Sequence, residues 1–315
     1  MIKIIHHPAD KIPRVFDNRS MLSIIGILIV FGAVVAGYLM EHGKLLVLAQ
    51  PAELIIIFGA AIGTVITANP LPTLIRLGKA MAAVLAGSPY TKAFYTENIK
   101  MLYDLFSMAR KAGTAKLEED IDNPTKSDVL KKYPKFLKSH QALDFLCDTL
   151  RMAVSGGVDP MDIDTMMEVD LESHHREAHE PVAALSSMAD SLPGLGIVAA
   201  VLGVVITMGA LGGSKEEIGQ KVAAALVGTF LGILLCYGVF GPIAAAMGKR
   251  NDDEGAYFGF LRMAALAFVK GLSPMMAVEL SRRAIPHSLR PNFKEMEAAC
   301  RGAKAAAPDV AAKAA

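Results

Sequence analysis

Few side chains in this 315-residue chain stand in patterns that chemistry requires. The densest cluster is His174-His175-Arg176-Glu177-Ala178-His179. His175 and His179 are one helical turn apart and could share a face, the least that a bound metal would need. The order is not the HExxH of a zinc hydrolase, and the neighbours are charged, so the stretch reads as a solvated helix face and no metal is assigned. The cysteines Cys147, Cys236 and Cys300 are far apart and give neither a zinc spacing nor a disulfide framework. No Walker motif, no GxGxxG after a strand and no GxSxG elbow is present, so nothing points to an enzyme.

Other residues carry chemistry of a quieter kind. Thr207 and Thr229 are hydroxyls inside apolar runs. Each either lines a polar path or bonds its own helix backbone. Pro193 and Pro242 lie near the same end of two such runs. Pro242 must break a backbone hydrogen bond and kink its helix; both prolines read either as hinges or as tolerated residues. Arg110 and Glu118 flank the end of a polar helix, as surface charge or as docking charges for a charged partner.

The elements that must position these residues are set by how charge is distributed. Apolar residues make up 53% of the chain and charged ones 20%. Yet Ser20–Met40, Leu54–Ile75, Ser191–Ser214 and Val222–Gly248 carry no charge at all. A hydrocarbon core of about 30 Å takes ~20 helical residues, and each run is long enough. The segregation excludes a plain soluble enzyme and a disordered chain. A net charge of +1 with no basic stripe excludes a usual nucleic-acid binder. The first run is too long for a signal-peptide core of ~7–15 residues, and reads as an uncleaved span.

Lysine and arginine cluster before the first run (Lys3, Lys11, Arg14, Arg19), after the second (Arg76, Lys79, Lys92) and after the fourth (Lys249, Arg250, Arg262). The expected topology is a multi-pass membrane protein with both termini cytoplasmic. Residues 1–19 form a basic arm, 20–75 two spans, 76–190 a helical cytoplasmic domain, 191–248 two more spans, 249–300 a helical cytoplasmic region and 301–315 an alanine-rich disordered tail. The fold class is all-α. In the cytoplasmic domain, Ser88-Pro89 reads as a helix start. Tyr95, Ile99, Leu102, Phe106 and Ala109 follow at helical spacing, and Gly113 ends the helix. A second helix runs from about Gln141, with Ala142, Phe145, Leu146 and Met152 on its apolar face, to Gly156-Gly157. A third begins at Asp159-Pro160 and ends before Pro181. Residues 251–286 also read as helix. Gly59–Gly63 and Gly228–Gly232 are GxxxG patterns for close helix packing, within one chain or between copies. No carboxylate, lysine or histidine lies inside any run, so the chain offers no titratable relay of its own there. It either moves no ions or relies on a partner's ionisable group.

A resemblance supplies that partner. Gln50-Pro-Ala-Glu-Leu54, Tyr90-Thr-Lys-Ala93, Leu117-Glu-Glu-Asp-Ile-Asp-Asn-Pro124, Tyr133-Pro134, Ser191-Leu-Pro-Gly-Leu-Gly-Ile-Val-Ala-Ala200, Val227-Gly-Thr-Phe-Leu-Gly-Ile-Leu-Leu235 and Ala277-Val-Glu279 resemble the MotA family of flagellar motor stator subunits. The likeness runs from about Met21 to about Arg301, and the first 20 residues have no counterpart in shorter members, which leaves Met21 as an alternative start. The resemblance implies a homo-oligomeric ring, a pentamer, around a peptidoglycan-anchored MotB-like partner that supplies the proton-binding aspartate. It implies a proton-conducting complex that turns ion flow into torque on the rotor switch protein FliG. No cofactor is implied beyond protons as the coupling ion. By matching position, Pro193, Thr229 and Pro242 fall on the ion pathway, and Arg110 and Glu118 on the rotor contact. Sodium-driven relatives tend to have a threonine where this chain has Ala200. Loss of that hard oxygen ligand favours protons. The alternative is a TolQ/ExbB-like energiser of outer-membrane processes, but those have three spans where this chain shows four.

Overall fold

Helix is the only regular structure these sequences support, and the computed structural model contains no strand among the described residues. It describes residues 18–302 except 210, 211 and 213. The basic arm and the alanine-rich tail therefore lie outside the described residues, save for 18–19 and 301–302. In chain order the helices are α1 (Asn18–Met40), α2 (Leu45–Leu48), α3 (Pro51–Ala68), α4 (Leu71–Ala86), α5 (Lys92–Ala112), α6 (Thr114–Asp122), α7 (Pro134–Leu137), α8 (His140–Ser155), α9 (Pro160–Met208), α10 (Lys215–Leu235), α11 (Gly241–Val269), α12 (Pro274–Ala284) and α13 (Phe293–Arg301). A 3₁₀ turn occupies Leu130–Lys132 and a π segment Cys236–Phe240. Four stretches are long and apolar enough to cross a membrane: Leu22–Met40, Leu45–Ala68, and parts of Pro160–Met208 and Ile218–Val269.

The chain divides into two units. The apolar unit comprises Met1–Ser88 and Ala184–Ala246. Here α3 turns Ile57, Ala61 and Val65 inward at four-residue spacing, and α10 packs on α3. The second apolar run does not form one helix to Ile75. Pro70 cannot donate to the ladder and restricts the residue before it, so α3 ends at Ala68. Asn69 closes it by donating from Nδ2 to the Val65 carbonyl at 2.9 Å. The chain restarts as α4, which packs on α1, and this is why the apolar unit extends to Ser88.

The polar unit comprises Pro89–Ala183 and Met247–Ala315. Its core follows the predicted periodicity: Tyr95, Ile99, Leu102, Phe106, Ala142 and Leu146 are fully buried, and Met152 is half-buried. Aromatic residues bind the helices together. Phe106 stacks on Phe268 with ring centres 4.4 Å apart, and Tyr95 meets Phe260 edge-on at 5.6 Å. The buried Tyr257 hydroxyl donates to Asn98 Oδ1 at 2.8 Å.

Several boundaries differ from the sequence reading. Helix α5 starts at Lys92, because the Thr91 side chain accepts from the Phe94 amide at 3.2 Å; Ser88-Pro89 lies outside it. Helix α9 does not stop before Pro181; it runs 49 residues through both Pro181 and Pro193. The helix read over 251–286 breaks at Lys270–Ser273, where Gly271 takes φ +78°, and resumes as α12, capped by Ser273. Helix α13 escaped the periodicity argument because it is only nine residues long. A reciprocal capping box between Asn292 and Glu295 starts it.

Candidate functional site

Four of the predicted residues lie in the apolar unit, and glycine decides how closely their helices meet. A Cβ added at Gly196 would lie 2.7 Å from the Gly228 carbonyl oxygen and 3.3 Å from the Thr229 Cα. One added at Gly228 would lie 3.2 Å from the Ala200 amide nitrogen, and one at Gly232 would lie 2.5 Å from the Leu192 carbonyl oxygen. Helices α9 and α10 thus touch backbone to backbone along Leu192, Gly196 and Ala200 on one side and Gly228, Thr229 and Gly232 on the other. The Gly228–Gly232 pattern serves packing within the chain. Gly59 and Gly63 meet nothing within 4 Å and lie on the exposed face of α3.

This seam brings Ala200 and Thr229 to the same level, both half-buried. The Thr229 hydroxyl makes no hydrogen bond among the described residues. Thr64, Thr67 and Thr207 all donate to a carbonyl of their own helix, Thr207 to Gly203 at 2.8 Å. Thr207 therefore serves its own backbone, whereas Thr229 keeps its oxygen uncommitted. An apolar cleft of about 250 Å³ opens beside the seam, lined by Ala200, Val201, Val204, Val222, Ala225 and Leu226 among others.

The two prolines behave differently. Pro193 sits within an unbroken α-helix, directly after the carbonyl that abuts Gly232. Pro242 follows a π segment. Its ring would clash with the carbonyl four residues back, at Gly238, and it has no amide proton to give. The ladder shifts by one residue ahead of it, and the Gly241 amide donates to the Cys236 carbonyl five residues back. Gly238 lets α1 close on this turn: a Cβ there would lie 2.9 Å from Val30 Cγ1.

Arg110 and Glu118 belong to the polar unit. Arg110 lies in the last turn of α5, and Gly113 with φ +89° turns the chain into α6. Leu117 and Ile121 anchor α6 in the core, and Glu118 points outward beside them. Both charges are exposed, and neither forms an ion pair among the described residues. Three neighbouring pairs are formed: Lys116 to Glu119 at 2.8 Å, and Arg151 to Asp122 at 3.0 Å and to Asp148 at 2.5 Å; Lys111, beside Arg110, is exposed and makes no ion pair among the described residues.

The histidine stretch is solvated at His175, Arg176 and Glu177, as its charged neighbours suggested, while His174 and His179 are half-buried. His174 lies 3.4 Å from Glu254, and its ring packs at 4.7 Å on Phe258. The rings of His175 and His179 are 4.3 Å apart. Among the described residues no three metal-binding side chains converge.

One residue the sequence reading passed over is Glu53. It heads the inward stripe of α3, is only 7% exposed, and its Oε2 has no hydrogen-bond partner. The signal was there: a carboxylate directly abutting a charge-free run. It stands one residue before Leu54, where the charge-free run begins.

Comparison with known proteins agrees with this architecture. Residues 24–113 match the family model "Motility protein A N-terminal", and residues 138–258 match that of the MotA/TolQ/ExbB proton channel family. Motility protein A of Escherichia coli is 39% identical over 284 residues, covering 90% of this chain and 96% of that protein. Chemotaxis protein LafT of Vibrio parahaemolyticus is 35% identical, covering 88% and 97%. The fold is similar to a MotAB structure from C. jejuni (TM-score 0.70, 19% identity, 85% of this chain and 96% of that one). It is also similar to the flagellar MotAB stator complex of Bacillus subtilis (TM-score 0.65, 24% identity, 81% and 92%). With such identity along nearly its whole length, and four helices long and apolar enough to cross a membrane, the chain belongs to the Motility protein A family.

Proposed function

We propose that this chain is a stator subunit of the bacterial flagellar motor, which forms with a MotB-like partner a proton-conducting complex that exerts torque on the rotor. The observation that carries the reading is the 39% identity to a motility protein across 90% of the chain. The α9–α10 seam supports it. A hydroxyl that serves no helix carbonyl, beside a glycine contact that admits no larger side chain, suits a narrow polar path.

In this reading several copies of the chain, five by family resemblance, ring a single-span pair of partner helices in the inner membrane. Both termini and the polar unit face the cytoplasm. The partner's aspartate takes up a proton, its charge changes, and the ring steps around it. Thr229 offers the proton path an oxygen, and Pro193 and the π turn before Pro242 let two helices adjust. Arg110 and Glu118 meet opposite charges on the rotor protein, FliG. Each proton delivers about 2.3 kcal/mol per 100 mV, a few times RT. That is enough to bias a small rotation but not to unpack the α9–α10 seam.

Deleting the coding sequence tests the reading. The expected cells carry intact but paralysed flagella and swim again only when this chain and the peptidoglycan-anchored partner are both supplied. Normal swimming in a strain with no second stator would overturn it. Ala200 adds an ion preference: swimming speed at fixed membrane potential and pH should not respond to sodium.

A further inference from the structure

Inside the apolar unit, Glu53 occupies a cradle of small residues. Its Oε2 lies where a Cβ on Gly228 would come within 2.6 Å of it, and its Oε1 lies 3.4 Å from the Cβ position of Gly203. Ala199 and Ala225 close the other sides: their Cβ atoms lie 3.2 Å and 2.8 Å from the Cβ positions of Gly228 and Gly203. The carboxyl thus rests on bare α10 and α9 backbone. Any side chain at 228 would evict it. No described cation pairs with it, and no described group hydrogen-bonds Oε2. Oε2 is thus cut off from solvent with no donor in its place, and a buried polar atom left without a partner is costly. Buried, uncompensated acids in membrane segments are rare, and those that occur tend to mark ion and proton routes. Gly228, which carries the carboxyl, is the residue before Thr229, and its Cβ position is 3.2 Å from the Ala200 amide.

We propose that Glu53 is a proton-binding carboxyl belonging to this subunit itself, on the extracytoplasmic approach to Thr229. This rests on the reading of the chain as part of a proton-conducting complex. Hydronium gives one proton to Oε2 and leaves as water; the neutral acid later releases that proton to a base deeper in the complex and becomes carboxylate again. The ring would then hold one such carboxyl per copy, in addition to the partner's.

The test uses the complex of this chain with its MotB-like partner, reconstituted in liposomes. Proton flux under an imposed potential is read with a pH-sensitive dye, and infrared difference spectra across pH report the carboxyls. Glu53→Gln keeps the shape and removes the titrating group. Its flux should fall about tenfold or more, with complex yield and size unchanged, and a protonated-carboxyl band should vanish. Glu53→Asp should recover part of both. Wild-type flux in Glu53→Gln, or protonated-carboxyl absorption that it leaves undiminished, overturns the proposal and leaves the stator reading standing. If the Gln variant fails to assemble, Glu53→Asp decides: wild-type flux together with an unshifted protonated-carboxyl band overturns the proposal. A wild-type complex that passes no protons refutes the stator reading instead.

Discussion

At the scale of single residues, glycines at equal spacing do unequal work, and the difference is measurable. A methyl on Gly232 would meet the Leu192 carbonyl at 2.5 Å, and that atom is backbone in the middle of a helix and cannot swing aside. Gly232→Ala should therefore push α9 and α10 apart and cost about 1–3 kcal/mol. Gly59→Ala and Gly63→Ala meet open space within the chain. They should be neutral or slightly stabilising, by up to about 1 kcal/mol, through better helix propensity. Thermal unfolding of the detergent-purified protein ranks the three; equal shifts would refute the packing assignment. Glu279 makes a second prediction. It is nearly buried in α12 and accepts from Arg282 at 2.7 and 2.8 Å and from Arg283 at 3.2 Å. The Arg282 bonds, with Arg283 behind them, hold its carboxyl below the usual glutamate value of 4.5. A depressed value means the pair stabilises the fold above that pH and loses its contribution as pH falls through the lower, folded value. Glu279→Gln should cost about 1.5–3 kcal/mol at pH 7, and its difference from wild type should shrink in acid. A deficit that persists at low pH would mean that shape, not charge, is lost.

At the scale of elements, sequence and structure agree where periodicity is long and part where a proline or a cap decides. The helices holding Tyr95 to Ala109 and Ala142 to Met152 were readable, because burial repeats over several turns. Their ends were less so. Ser88-Pro89 and Thr91-Lys92 both look like helix starts, and only the Thr91 hydroxyl makes the cap. Pro181 looked like a stop, yet α9 absorbs it: a proline removes one hydrogen bond and the helix around it holds the rest. The candidate site was legible in part. Pro242 was expected to break a backbone hydrogen bond and kink its helix; the structure places a π segment directly ahead of it, which no residue pattern announces. The freedom of the Thr229 hydroxyl depends on where neighbouring carbonyls point, which spacing does not encode. Pro242→Ala restores an amide donor and removes the ring that the π turn accommodates. Its turn should relax toward regular α-helix. Cells carrying it should swim slowly or not at all while membrane level and partner co-purification stay normal. Full swimming speed would make the π turn a mere packing feature and Pro242 a tolerated residue.

At the scale of the whole molecule, assembly and torque should be separable, because the charges assigned to the rotor take no part in holding the chain together. Leu117 and Ile121 fix α6 by burial, and the turn at Gly113 fixes its direction; Arg110 and Glu118 contribute to neither. Exposed charges without partners alter stability by only a few tenths of a kcal/mol. Facing charges on a partner, however, they set encounter and register, and reversal turns attraction into repulsion. Arg110→Glu with Glu118→Arg should therefore leave membrane level, oligomer size and proton flux through the reconstituted complex near those of wild type, while flagella stop rotating. Compensation sharpens the test: reversing the opposing charges on the rotor protein should restore rotation in the double variant and impair it in the wild type. The outcome that sinks the assignment is normal swimming of the double reversal. A loss of rotation accompanied by loss of assembled protein would sink it too, since it would place both charges in the fold rather than at the rotor. What singles out this surface is that Lys116, Glu119 and Arg151 are paired within the chain while Arg110 and Glu118 are not, so their freedom is either a function or an accident, and the rotor decides which.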